Sequence, residues 1–222
     1  MPLRSYDHVA GASPAPPGEM RVRKVLHPTA ALLALACASA RADDFRLDPV
    51  HTQIFFAVDH QGYSKSTGSL HVKGGYFRFD ADDWSKAKVD ATIDITGLEM
   101  GDAAWSDKVR SAYFDASTYP TARFVSKAVE KTGGRSGVVH GELTLLGRTK
   151  PVDLQITFNR AGRDGYTLHY IAGFSATANF KRSAFGMTRT GKDIGDDIAI
   201  RIEAEGVRDD DAAKNAPDAE SH

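Results

Sequence analysis

NFKRSAFGMTRTGKDIGDDIAIRIEAEG, residues 179–206, carries the clearest pattern in the chain. It joins two strand-like segments through a polar, glycine-containing turn. In the second segment Ile198, Ile200, Ile202 and Ala204 alternate with Ala199, Arg201, Glu203 and Glu205. A period of two places one face of a strand in an apolar interior and the other in water. Ahead of the turn, Phe185, Gly186 and Met187 set apolar groups beside Lys181 and Arg182.

The same alternation recurs outward from this stretch. In residues 51–60, Thr52, Ile54, Phe56, Val58 and His60 share a face, and Phe55 points to the opposite one, as a surface aromatic at a contact between copies or as a residue covered by the chain termini. In 68–80, Leu70 and Val72 lead to Gly74-Gly75, after which Phe77 and Phe79 resume the pattern. Paired glycines of this kind mark a bulge or corner. Residues 88–96 put Val89, Ala91, Ile93 and Ile95 on one side, and 121–129 offer Phe124. Residues 138–146 and 152–158 read as a hairpin around Gly147-Arg148-Thr149-Lys150, and 166–180 and 194–207 complete the set. About eight antiparallel strands with short turns suit an up-and-down barrel or a sandwich, an all-β domain over 43–207. One segment differs: DAAWSDKVRSAYF (102–114) spaces Trp105, Val109 and Ala112 or Tyr113 at helical intervals behind Asp102 as N-cap, and Pro120 ends the excursion. A lone helix between strands is expected to close one end of a barrel.

The ends read differently. The composition is that of an ordinary globular chain: 222 residues, 41% hydrophobic, 26% charged, net charge −1. That charge gives no support for a nucleic-acid partner. Residues 20–42 read as a secretory signal: Arg21, Arg23 and Lys24, then AALLALACA (30–38), then Ala40-Arg41-Ala42 as a cleavage pattern after Ala42. The apolar run is short for a membrane span. Residues 1–19 are Pro-, Gly- and Ala-rich, which points to Met20 as the start. The single cysteine, Cys37, lies inside this segment with Ala34 three residues before it, where a lipoprotein signal usually has leucine. Cleavage after Ala42 leaves no cysteine, and 23 basic against 27 acidic residues. These features suit a periplasmic protein. At the other end, 208–222 lacks apolar periodicity and reads as a disordered tail.

Catalytic and metal signatures are missing from the sequence. His51, His60, His71, His140 and His169 show no ligand spacing. Asp82-Asp83 and Asp196-Asp197 sit at turns, where acids serve turn geometry. What remains is an inward apolar inventory: Ile54, Phe56, Val58, Phe77, Ile93, Phe124, Leu143, Leu145, Leu154, Ile156, Phe174, Ile198 and Ile200. Eight strands enclose either a filled core or room for one ligand, and periodicity does not distinguish them.

Four blocks in order, DPVHTQIFFAVDH, SDKVRSAYFDASTYPTARF, GELTLLGRTKPVDLQI and GFSATANFKRSAFGM followed by IGDDIAIRIEAE, resemble the YceI-like family. The family's closing motif stands unchanged in Arg182, Ser183, Phe185, Gly186 and Met187. Its helical block departs at Ser106 and at Lys108, where histidine is common, and continues as Val109, Arg110 and Ser111. The resemblance implies an extended eight-stranded, lipocalin-like barrel in the periplasm that holds a polyisoprenoid, such as a polyprenyl phosphate or an isoprenoid quinone, in an internal channel. No other cofactor and no metal are expected. The channel residues it implies here are Ile54, Phe56, Val58, His60, Phe77, Ile93, Trp105, Val109, Phe124, Leu143, Leu145, Phe174, Phe185, Met187 and Ile200. Arg110 and Arg182 are candidates either to meet a polar head group or to pair with nearby acids. Transient membrane contact for loading and a homodimer through an exposed edge are further expectations. Two other functions stay open: an enzyme with His51 or His60 near an acid in the cavity, and a solid-cored interaction domain.

Overall fold

The wall of the molecule is one antiparallel sheet that meets itself. The computed structural model describes residues 42–215. Its strands are β1 (Asp43–Leu47), β2 (Gln53–His60), β3 (Ser64–Phe79), β4 (Lys88–Glu99), β5 (Thr121–Lys131), β6 (Ser136–Leu145), β7 (Arg148–Arg163), β8 (Tyr170–Lys181) and β9 (Ile194–Arg208), with the helix α1 (Ala103–Ala112) between β4 and β5. Sequential hairpins run from β4 to β9, β9 pairs with β2, β2 with β3, and β3 returns to β4. Closure of the ladder removes both free edges.

The nine strands make eight staves because β1 and β2 share one. β1 lies between β3 and β9 at one end of the barrel (Phe45 opposite Phe77 and Arg208), and β2 lies between the same two strands at the other end (Phe56 opposite Gly68 and Ile200). Between them the chain leaves the ladder in a tight turn. Asp48 Oδ1 accepts the Val50 and His51 N–H groups, and Asp48 Oδ2 meets His51 Nδ1 at 2.9 Å. The break would leave the Glu205 N–H of β9 without a ladder partner. Thr52, 1% exposed, supplies one: Oγ1 accepts the Glu205 N–H at 3.2 Å and donates to the Glu205 carbonyl at 3.0 Å, which also takes the Asp48 N–H at 2.9 Å. The expected strand set did not include β1, whose DDFRL is too short to show alternation.

Gly74-Gly75 forms the expected irregularity, with a register shift between Val72 and Gly74. Gly75 has φ +127°, and a Cβ there would lie 2.2 Å from the Asp90 carbonyl oxygen, so only glycine fits this corner. Asp102 caps α1, accepting the Trp105 N–H at 2.8 Å. Ser106 is buried under the helix, its Oγ donating to the Asp102 carbonyl and accepting the Met100 N–H.

Three expectations change. The β6–β7 connection is only Leu146-Gly147, both at positive φ (53° and 67°), so Arg148, Thr149 and Lys150 belong to a strand. A two-residue turn of this kind is normally announced by Asn-Gly, and Leu-Gly hides it. Tyr166, Thr167 and Leu168 form a turn rather than the start of β8, held by Asp164 Oδ1, which accepts the Tyr166 and Thr167 N–H groups and the Thr167 hydroxyl. At the C-terminus, residues 208–215 are ordered: Asp209 N–H donates to the Asp44 carbonyl and Ala212 is 4% exposed. The leader read at 20–42 (apart from Ala42), the segment before it and residues 216–222 lie outside the described residues.

Replacing Thr52 with Val keeps the shape but strands the buried Glu205 N–H. The expected cost of about 1–3 kcal/mol lowers Tm by roughly 2–10 °C, whereas Thr52→Ser stays near wild type. Scanning calorimetry of the three proteins checks this, and equal Tm values for Thr52→Val and wild type would refute the bridging role.

Candidate ligand channel

The inward residues of the staves do not fill the barrel. They surround a cavity of about 380 Å³, within the range of ligand-binding pockets. Every member of the inward apolar inventory lines it, from Ile54 and Phe56 on β2 to Ile198 and Ile200 on β9.

A barrel rich in phenylalanine stays open because its rings lie flat on the wall or gather at one end. Gly68 stands opposite Phe56 across the β2–β3 ladder, and a Cβ on it would sit 2.4 Å from the Phe56 ring and 2.6 Å from Met100 Sδ. The ring occupies the space a side chain would take. The Phe124 ring likewise covers Gly141, diagonal to it across the β5–β6 ladder, where a Cβ would sit 2.3 Å from the ring. At the end opposite α1, rings pack on one another: Phe79 meets Phe174 edge-on at 4.8 Å and Phe158 at 4.9 Å, Phe77 stacks on Phe45 at 4.9 Å, and Trp84 abuts Phe79 at 5.3 Å. Phe77, Phe79 and Phe174 thereby form an aromatic floor, each pair adding to simple burial.

The other end is the mouth. α1 presents Trp105, Lys108, Val109 and Tyr113 to the cavity, and Trp105 remains 40% exposed. The helix is tied down by Arg110, which donates to the Leu98 carbonyl at 2.6 Å and pairs with Asp107, and by Tyr113 Oη, 3.2 Å from Thr190 Oγ1. Residues 186–193 cross the mouth opposite the helix. They are organised by Arg182, which is 5% exposed and lacks a carboxylate partner in the described residues. All five guanidinium donors meet main-chain carbonyls: Nε that of Gly195 (2.9 Å), Nη1 those of Met187 and Arg189, and Nη2 those of Gly191 (3.0 Å) and Ile194 (2.8 Å). Nearby, Asp196 is held below the usual carboxylate range, chiefly by the Ser183 N–H and hydroxyl it accepts, with the charges of Lys181 and Arg182 adding less.

Of the residues expected in the channel, Ile54, Phe56, Val58, His60, Phe77, Ile93, Trp105, Val109, Phe124, Leu143, Leu145, Phe174, Arg182, Met187 and Ile200 line the cavity. Arg110 and Phe185 do not: Arg110 is turned to Leu98 and Asp107, and Phe185, 1% exposed, packs edge-on against Phe180 outside the lining. Arg182 is neither a surface charge nor free for a head group, since its donors are all engaged. His51 belongs to the Asp48 turn and not to the cavity, and Phe55 lies on the outer face beneath the Arg201 guanidinium at 5.0 Å. Lys108, noted only as a departure from the family's histidine, Tyr113, noted only for its helical spacing, and Met100 and Ser66 also line the cavity and were not among the expected channel residues. For Lys108 and Tyr113 the signal was available, three and eight residues after Trp105 on one helical face.

A closed antiparallel barrel with an apolar cavity, an aromatic floor and a helix at the mouth defines a lipocalin-like ligand-holding barrel. The comparisons place it further. A family profile for the YceI-like domain matches residues 45–206, and the chain belongs to that family. It is 36% identical over 192 residues to a UPF0312 protein of Serratia proteamaculans, covering 85% of this chain and 99% of that one. Among solved structures it is similar to Burkholderia cenocepacia BcnA (TM-score 0.63, 24% identity, 72% of this chain and 98% of that one). It also resembles a polyisoprenoid binding domain from Saccharophagus degradans implicated in plant cell wall breakdown (TM-score 0.55, 12% identity, 74% and 98%).

Gly68→Ala pushes the Phe56 ring toward the lumen or strains it, an overpacking cost of about 1–3 kcal/mol. Thermal melts should show a loss that the second change Phe56→Leu largely restores, a coupling expected only of side chains in contact. An undiminished loss in the double variant would place the clash at Met100 Sδ, 2.6 Å from the same position, and not at the ring.

Proposed function

We propose that this protein binds a polyisoprenoid or a related single-chain amphiphile in the barrel and carries it across the aqueous periplasm. The observation that carries the reading is the cavity itself: a long apolar lining, closed by rings at one end and open beside Trp105 and Lys108 at the other. Membership of the YceI-like family and the likeness to a domain named for polyisoprenoid binding support it. The leader read at 20–42 supports export, and the ligand takes the place that a cofactor holds in an enzyme.

The energetics favour a carrier. Each methylene withdrawn from water contributes about 0.8 kcal/mol, so a chain of some twenty carbons held in the lumen has little tendency to escape into water. Drawn from a bilayer, the same chain was already dry, and the transfer is close to balanced. The barrel therefore keeps the chain from water and can return it to a membrane touching the mouth. A catalytic reading has less to rest on. Among the described residues His60 is the only histidine in the lining, and no carboxylate accompanies it there.

Phe56→Asp and Phe174→Asp each place a charge in the lumen and should remove co-purifying lipid. Native mass spectrometry of protein from a bacterial periplasm, followed by organic extraction, reads the outcome. A folded variant with undiminished lipid content would refute the channel as the binding site.

A further inference from the structure

The charge of the cavity lining is one-sided. Acidic and basic residues are almost equal in the chain, 29 against 28, yet among the described residues no Asp or Glu lines the cavity, whereas Arg78, Lys88, Lys108 and Arg182 do. Two of these cations are engaged by the protein. Arg78 makes a bidentate pair with Asp44 at 2.6 and 2.7 Å, and Arg182 is saturated by carbonyls. Lys88 begins β4 at the closed end, opposite Arg78 in the ladder.

Lys108 stands at the mouth, on the cavity face of α1 with Trp105 and Val109. Side chains three and four residues apart pair along a helix. Around Lys108 those positions hold Ala104, Trp105, Ser111 and Ala112, so the helix supplies it with no carboxylate. Arg110, facing away from the cavity, has Asp107 at that spacing and pairs with it. The outward charges of α1 thus neutralise each other, and the inward ammonium has no ion-pair partner among the described residues.

Resting on the reading of the barrel as an amphiphile binder, we infer that its ligand bears an anionic head, a carboxylate or a phosphate monoester, and that Lys108 is the counter-ion. The hydrocarbon enters the lumen, Trp105 covers its first carbons, and the head stays at the rim where water still reaches it. A carboxylate or phosphate there gains a charge-assisted hydrogen bond that an alcohol of equal length lacks. It meets no repulsion, because the lining holds no acid. His60 and Tyr113, both in the lining, are further polar groups within the same enclosure.

The test compares matched probes on the delipidated protein: oleate against oleyl alcohol, and geranylgeranyl monophosphate against geranylgeraniol. Titrations follow Trp105 fluorescence in a Trp84→Phe background, at low and high salt. Wild type should bind the anion of at least one pair roughly tenfold more tightly than its alcohol, the scale of one charge-assisted hydrogen bond, and salt should narrow the gap. The pair that shows the gap tells carboxylate from phosphate. Lys108→Met should erase the preference, Lys108→Arg should keep most of it, and Lys88→Met should keep it. Equal affinities in wild type, a preference that survives Lys108→Met, or one lost only in Lys88→Met overturns the assignment and leaves the channel reading standing. Failure of all four probes to bind overturns the channel reading itself.

Discussion

A sheet can enclose an empty apolar space only if every main-chain donor and acceptor of its wall is paired, because nothing inside can satisfy them. The closed ladder meets that demand along most of its length. Where the ladder fails, individual side chains complete it. Thr52 fills the gap between β1 and β2 with a hydroxyl that accepts the Glu205 N–H and joins the Asp48 N–H at the Glu205 carbonyl. Arg182 does the same for residues 186–193, which cross the mouth ahead of β9, taking up carbonyls from Met187 to Gly195. A guanidinium suits this task because it presents five donors and no acceptor. Both residues are nearly inaccessible, and both hold main chain and not ligand.

The same constraint sorts the polar residues of the channel. An ionised group facing the lumen needs a partner or water. At the closed end Asp44 provides one for Arg78 from within the wall. At the mouth Lys108 keeps water, and its long apolar stem can lie along the lining while the ammonium stays at the rim. Histidines on the outside follow simpler rules. His140, beside Asp153 at 2.9 Å, and His51, beside Asp48, are both raised in pKa by those carboxylates, hydrogen bonding first. What these exposed pairs contribute is present below the ordinary histidine value and fades as pH rises through the raised one.

The sequence made the wall legible and left its joints obscure. Alternation in 51–60, 88–96 and 194–207 identified the inward face residue by residue, since a pleated strand with one dry face permits no other arrangement. The helix was equally plain from Asp102 and the spacing of Trp105 and Val109. β1 was invisible because five residues with two adjacent acids show no period. The Leu146-Gly147 turn was invisible because leucine seldom takes positive φ. Periodicity could not show whether the barrel was hollow, and only the family resemblance implied it: the answer turns on Phe56 lying over Gly68 and Phe124 over Gly141, contacts between residues 12 and 17 positions apart. Arg182 was recognised as a motif residue, but five separate carbonyls converging on it leave no trace in the sequence.

A hollow interior changes where the stability of such a fold resides. Cavities left by trimming a packed core cost about 24 cal/mol per Å³. On that scale, a dry void as large as this one would cost on the order of 10 kcal/mol, as much as the whole stability of a typical domain. The barrel escapes that cost in two ways. Its mouth admits water or a ligand, and its cohesion is moved into the wall and the aromatic floor, where Phe45, Phe77, Phe79, Phe158 and Phe174 form a small core of their own. The lumen then contributes to stability only through what occupies it. A hydrocarbon chain bound there, as proposed, would supply the contacts the lining lacks, so that ligand affinity and resistance to unfolding would rise together. The hydrogen bonds of the wall do not depend on what fills the interior.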